Sequence, residues 1–305
     1  MKYICAQPAT QYFGWQVDTL INSLISNGVF QKDIHVINAI HGEIDPYFNK
    51  LKNKYPYILF EFYEDTRNYK KYIPSIKQHL LYKHYSKYSY LENETILLLD
   101  ADVAFIKPID FSPLLNDNIW YLSDTNSYLN YDYIKSKGDD VLNKMLEIAN
   151  IDKELVKINN QNSGGAQYLI KNINKEYWNK VVKLSHELYE SISKLNEKKV
   201  KVNPDHHPLQ IWTAEMWALL WVAWKCGIQT KISPLMNFCW ATDPIVKWNE
   251  NSIYHNAGVT AKMDHLFFKG KYINNMPTKD INVSDKHCSY NYYELVKQIL
   301  DEQFC

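Results

Sequence analysis

The sequence predicts an α/β fold with a mostly parallel central sheet flanked by helices, and a more mixed second half. Three observations lead there. Strand-like and helix-like segments alternate through the first half of the chain, at the spacing of βαβ units. A continuous apolar run, Thr95-Ile96-Leu97-Leu98-Leu99, fits a central strand buried on both faces. Of 305 residues, 46% are hydrophobic and 22% charged, the balance of an ordinary globular chain with enough length to bury a core.

Taken in order, Lys2 to Ala6 reads as the first strand, broken by Gln7-Pro8-Ala9-Thr10. A helix follows from Phe13 to Ser26, with Trp15, Val17, Leu20, Leu24 and Ile25 near helical spacing and Asn27-Gly28 as its stop. Ile34 to Ile40 and Ile58 to Phe62 read as strands. Ser75 to Tyr85 reads as a helix whose core face is Ile76, Leu80, Leu81 and Tyr85. Beyond the apolar run, Leu142 to Ala149 and Lys175 to Lys194 read as helices and Glu197 to Lys201 as a solvated turn. Leu209 to Cys226 is apolar enough to suggest a membrane span, but Glu215 near its middle would cost about 2.5–3.5 kcal/mol there, so a buried helix is expected. No long linker or internal repeat divides the chain, which reads as one domain over residues 1–305.

Formal net charge is zero, so no global field gathers nucleic acid or an anionic membrane. Five scattered cysteines, Cys5, Cys226, Cys239, Cys288 and Cys305, form no C-x-x-C pair, against a structural zinc site or a disulfide scaffold. The first strand is too short for the apolar region of a signal peptide, and a cytoplasmic protein without stable membrane insertion is expected. Arg67 is the sole arginine. Compositional bias explains the scarcity, while a retained arginine also suits bidentate phosphate binding. Nearby Lys77 offers a second cation for a phosphate or a base.

The strongest chemical signal is LLLDADVAFIKP, Leu97 to Pro108. Ligands bind outside the carboxyl ends of strands in open parallel sheets. Two carboxylates there, Asp100 and Asp102, would repel each other unless a cation neutralised them. Their hard oxygens suit Mn²⁺ or Mg²⁺. Farther on, Gly164 and Gly165 precede an apolar run, either as a tight turn or as a place where backbone approaches a ligand. The helix around Trp217, Trp221 and Trp224 reads as core. Glu215 among those apolar neighbours must be paired, protonated or part of a site. Cys239-Trp240-Ala241-Thr242-Asp243 and Ile253-Tyr254-His255-Asn256-Ala257-Gly258 follow, with His255 where a strand meets a turn.

In their order along one chain, the loop after the first strand, Asp100-Ala101-Asp102, Asn162-Ser163-Gly164-Gly165, Trp212-Thr213-Ala214-Glu215-Met216-Trp217 and His255-Asn256-Ala257-Gly258 resemble GT-A glycosyltransferases with a D-x-D element. The helical segment is similar to one in the peptidyl-serine galactosyltransferase and hydroxyproline arabinosyltransferase group. The resemblance implies a Rossmann-like sheet, with a nucleotide-sugar-binding half to about residue 125, then an acceptor-side half and a C-terminal closing segment. It implies metal binding by Asp100, Asp102 and His255, and transfer of a sugar from a nucleotide-sugar donor, by default a UDP-sugar, to a hydroxyl. The acceptor would be a glycan, a glycoconjugate or a modified nucleobase. Donor contacts would come from Gln7, Pro8, Thr10, Arg67, Lys77, Asp100, Ala101, Asn162, Gly164, Gly165, Gln167 and Lys269. Retention is favoured; inversion would need a carboxylate base, with Glu215 or Asp243 as candidates. Three other readings stay open: a phage-type enzyme glycosylating modified DNA bases, a nucleotidyltransferase that makes the sugar nucleotide, and a non-catalytic carbohydrate-binding protein, given the many tyrosines and tryptophans.

Overall fold

A computed structural model describes residues 1–302; Cys305 lies outside the described residues. The first part of the chain forms β1 (Lys2–Pro8), α1 (Gln11–Ser26), β2 (Ile34–Ile40), α2 (Pro46–Lys54), β3 (Leu59–Glu64), α3 (Ile76–Lys87), β4 (Ile96–Leu99), β5 (Val103–Phe105) and β6 (Trp120–Ser123). Then come α4 (Asn126–Leu129), α5 (Tyr131–Ser136), α6 (Asp139–Ala149), α7 (Lys153–Ile158), β7 (Gly165–Ile170), α8 (Lys175–Val202) and α9 (Ala214–Lys225). The chain continues through β8 (Thr230–Ile232), β9 (Phe238–Trp240), α10 (Val246–Glu250), β10 (Ile253–His255) and α11 (Cys288–Glu302).

Seven strands form a mixed, mostly parallel sheet in the order β3-β2-β1-β4-β7-β6-β8. β1 with β2, β2 with β3 and β6 with β8 pair in parallel, while β6 and β7 are antiparallel. This is the α/β architecture the sequence predicts. All four residues of β4 are 0–1% exposed, as a strand covered on both faces must be. Each such side chain contributes about 1.5–3 kcal/mol by leaving water. No helix among the described residues is long and apolar enough to cross a membrane.

Several boundaries differ from the sequence reading; the helix expected over Leu209 to Cys226 starts only at Ala214, after a short 3₁₀ turn over Ile211–Thr213. β1 continues through Gln7 and Pro8 instead of breaking at Ala6. Gln7 is 3% exposed and its amide donates to Asn38 Oδ1 at 2.6 Å, which satisfies a polar side chain inside the sheet. Pro8 has no N–H to give, and the next amide, Ala9, donates to the Ala39 carbonyl at 2.7 Å, so the pairing survives. α8 also runs past Lys194 to Val202. The charged stretch 197–201 is therefore helical, and Lys199 pairs with Asp140 at 2.6 Å.

The chain divides into two compact units. Unit 1 comprises Met1–Glu64, Leu98–Pro113 and the chain from Pro234. Its α1 buries Trp15, Val17, Leu20, Ile21 and Leu24. It stops where Gly28 adopts φ +87°, with Gly28 N–H donating to Ile25 O and Val29 N–H to Leu24 O, both at 3.0 Å, the left-handed C-terminal motif that favours glycine. A second sheet, β5-β10-β9, belongs to the same unit. Unit 2 comprises Asp65–Leu97 and Leu114–Ser233. Its long α8, capped by Asn174 on the Tyr177 amide at 3.1 Å, packs with α3, α6 and α9. Trp217, Trp221 and Trp224 are 0%, 0% and 4% exposed, as core residues should be.

Candidate functional site

β4 ends at Leu99, and Asp100, Ala101 and Asp102 form the turn into β5. β10 pairs antiparallel with β5, placing His255 opposite Val103. The Asn256 amide then donates to the Asp102 carbonyl at 2.8 Å, locking the end of β10 beside the acidic turn. One donor atom each from Asp100, Asp102 and His255 lie within 4.8 Å of one another. His255 Nε2 is 3.4 Å from Asp102 Oδ1 and 3.8 Å from Asp100 Oδ2, longer than a strong hydrogen bond. Two ligands at right angles on one ion, each about 2.1 Å from it, would stand about 3 Å apart. Two hard carboxylates and an imidazole at these separations fit Mn²⁺ or Mg²⁺, and the nitrogen tilts the set toward Mn²⁺.

The electrostatics favour a charged acid at the centre. Burial pushes the Asp102 carboxyl up, but the Lys269 ammonium and His255 beside it outweigh burial and hold it far below the usual carboxylate range. Lys269 Nζ ion-pairs with Asp102 Oδ2. Burial pulls Lys269 down while Asp102 more than offsets it, so its pKa is raised. Tyr12, one residue into α1, is raised mainly by burial and feels both Lys269 and Asp102. Asn256 Nδ2 is buried without a hydrogen-bond acceptor among the described residues, a leftover donor that suits an oxyanion ligand.

A supporting layer stands behind His255. Trp240 lies across from it in the parallel β9–β10 register and stacks on its ring at 5.9 Å and 11°. The Trp240 amide donates to Asp243 Oδ2 at 2.9 Å, and the Asp243 amide returns to the Trp240 carbonyl at 3.1 Å. Asp243 thus fixes the turn that carries the stacking ring. Sequence reading had no means of pairing Trp240 with His255, because the register that joins them is a tertiary fact. Tyr12 gave no signal at all.

The remaining sequence-predicted residues fall elsewhere in the two units. In unit 1, Gln7 is held within the sheet, Pro8 ends β1, and Thr10 is exposed at the N-cap of α1. In unit 2, Arg67 folds its own loop. Its Nε and Nη2 reach Asp65 at 2.9 and 3.0 Å, and Nη1 reaches the Tyr72 carbonyl at 3.0 Å and Ser75 Oγ at 2.8 Å. Lys77 and Glu215 find each other, Nζ to Oε1 at 3.5 Å, and Gln78 Nε2 donates to Glu215 Oε2 at 2.7 Å. Gln167 is fully buried and its Oε1 accepts from Ser123 Oγ at 2.6 Å. Asn162 is half-buried, its carbonyl accepting from Thr230 Oγ1 at 3.0 Å. A Cβ on Gly164 would come within 2.5 Å of the Ser123 carbonyl oxygen, and one on Gly165 would collide with Met216. Both glycines therefore answer to close protein packing. The left-handed backbone falls instead on Ala166, at φ +67°, inside the bulge where the β6–β7 register shifts.

By sequence, the chain matches no protein-family model and no curated protein. Among solved structures it is similar to the apo structure of WbbM, a bifunctional glycosyltransferase, with a TM-score of 0.49 and 11% identity. That similarity covers 97% of this chain and 51% of the other, so the chain spans about half of WbbM's length. It is also similar to a glycosyltransferase involved in the glycosylation of the major capsid of PBCV-1, with a TM-score of 0.40 and 13% identity over 85% of this chain and 93% of that one. Likeness at this level assigns no activity to this chain.

Proposed function

We propose that the chain is a metal-dependent glycosyltransferase, moving a sugar from a UDP-sugar to a hydroxyl on a glycan, glycoconjugate or modified nucleobase. One observation carries the reading: Asp100, Asp102 and His255 converge within 4.8 Å beyond the carboxyl end of β4, where ligands of parallel sheets bind.

These three side chains would hold a divalent ion, which when bound supplies positive charge against a leaving diphosphate. Ala101 between the two acids presents only a methyl group, so the donor ribose meets backbone there. The Lys269 ammonium is positioned to neutralise oxyanion charge once a diphosphate arrives, and the Asn256 side-chain nitrogen, just past β10, is a further donor. Trp240 keeps the His255 ring in its plane. Retention is the stereochemical outcome we favour. Glu215 is engaged with Lys77 and Gln78, and Asp243 with the Trp240 amide, so both carboxylates that inversion would call on as a base already have partners.

The test is release of UDP from a panel of UDP-sugars by the purified chain, with Mn²⁺ and with EDTA. Release that requires Mn²⁺ and is lost in D100N and D102N supports the reading. Failure of every UDP-sugar both to be hydrolysed and to raise the Tm with Mn²⁺ present would overturn it. Comparing product and donor anomers by NMR decides retention.

A further inference from the structure

Lys269 does more at this site than wait for a diphosphate. Its ammonium is paired with Asp102 Oδ2, while Oδ1 of the same carboxylate faces His255. The contact is built into the fold. Phe267, two residues earlier, is 1% exposed and packs on Trp15, Tyr272 and Tyr293 at ring distances of 5.8, 5.6 and 5.4 Å. Its amide donates to Ser289 Oγ at 2.8 Å. On the other side, Gly270 leaves room for the Phe268 ring, which any Cβ there would strike. The lysine is thus delivered to Asp102 by an anchored turn and not by a loose tail.

An ammonium and a dication cannot share one carboxylate comfortably. Like charges a few ångströms apart in a poorly hydrated site repel strongly, and the Asp102 side chain is only 10% exposed. A dication that takes Asp102 must push the Lys269 ammonium off Oδ2. The displaced ammonium loses its Asp102 partner, and an arriving diphosphate gives it a new one. Resting on the metal reading above, we propose that Lys269 is a tethered competitor of the metal ion for Asp102, so that divalent cation and nucleoside diphosphate bind cooperatively. By linkage, each ligand raises the affinity for the other by the same factor.

The test is isothermal titration of the full chain with Mn²⁺, alone and with saturating UDP, in wild type, K269Q and D102N. Wild type should bind Mn²⁺ weakly alone and more tightly with UDP. K269Q should bind Mn²⁺ alone about tenfold or more tightly than wild type, with the gain from UDP correspondingly smaller. Thermal unfolding gives a second readout: K269Q without Mn²⁺ should melt below wild type, because Asp102 keeps a buried charge without its partner, and Mn²⁺ should raise its Tm by more. If K269Q binds Mn²⁺ no tighter than wild type while D102N binds none, the competition is wrong and the metal centre stands. If D102N binds Mn²⁺ as wild type does, or if neither wild type nor K269Q binds it, the metal reading falls and the competition with it.

Discussion

Asp102 in unit 1 and Glu215 in unit 2 are both buried acids facing a lysine, and their surroundings differ in kind. Glu215 sits in a closed set: Lys77 on one oxygen, Gln78 on the other, and its own amide donating to the Tyr72 hydroxyl at 2.9 Å. Those partners come from α3 and the residues just before it, and they leave the carboxylate little to offer a ligand. Asp102 has Lys269 on one oxygen, but its other oxygen faces an imidazole across an ion-sized gap, with a second acid, Asp100, 31% exposed nearby. A buried acid with saturated oxygens acts as structure. One that shares its space with further donor atoms has the makings of a binding centre.

Four experiments would break or sharpen this contrast. The largest effect belongs to D102N, which should lose Mn²⁺-dependent donor turnover by more than the ~100-fold at the upper end of outer-shell effects. E215A should act on stability instead, costing about 3–5 kcal/mol in urea unfolding by removing the carboxylate that faces the buried Lys77 ammonium. E215Q should keep donor turnover; a collapse matching that of D102N would make Glu215 a catalytic group and erase the distinction. W240A should weaken Mn²⁺ binding by roughly 10–100-fold through a misplaced His255 ring, with W240F restoring most of it. Unchanged affinity in W240A would remove Trp240 from the account.

A separate readout is the response to acid. Burial, with Lys83 beside His79, Arg67 beside His186 and Lys2 beside His35, lowers all three histidines to about 4. In the unfolded chain they protonate near 6.5. Between those values the unfolded state binds more protons, so stability falls as the pH drops from about 6.5 toward 4. Asp65, held at about 2 against Arg67, adds its loss only below about 4. The urea midpoint should therefore fall from pH 7 to pH 5, and H79Q and H186Q should flatten that slope. A midpoint independent of pH would contradict the neutral state of these three histidines.

Much of this was legible in the sequence for a physical reason. The Ile96–Leu99 run has no polar face, so only a doubly covered strand accommodates it, and acids placed at its end fall at the mouth of a parallel sheet. Tryptophans at helical spacing had to be core. His255 was flagged by a resemblance and a turn, but its nearness to Asp102 depends on the β5–β10 register across some 150 residues of chain, which no local pattern encodes. The small β5-β10-β9 sheet was missed for the same reason: three-residue strands carry too little periodicity to be read. The Glu197–Lys201 stretch looked like a solvated turn because charge was its only signal, yet lysine and glutamate are good helix formers and simply extend α8. Gly164 and Gly165 announced close approach, and the sequence could not say that protein atoms make that approach.

The central claim is that Asp100, Asp102 and His255 grip one divalent ion. A crystal grown with Mn²⁺ and UDP, measured at the manganese absorption edge, tests it most directly. The account predicts an anomalous peak within about 2.0–2.3 Å of one atom from each of the three side chains, with the diphosphate on the same ion and the Lys269 ammonium moved from Asp102 toward it. UDP bound with no peak at this centre, or a manganese peak at some other group of side chains, would contradict it.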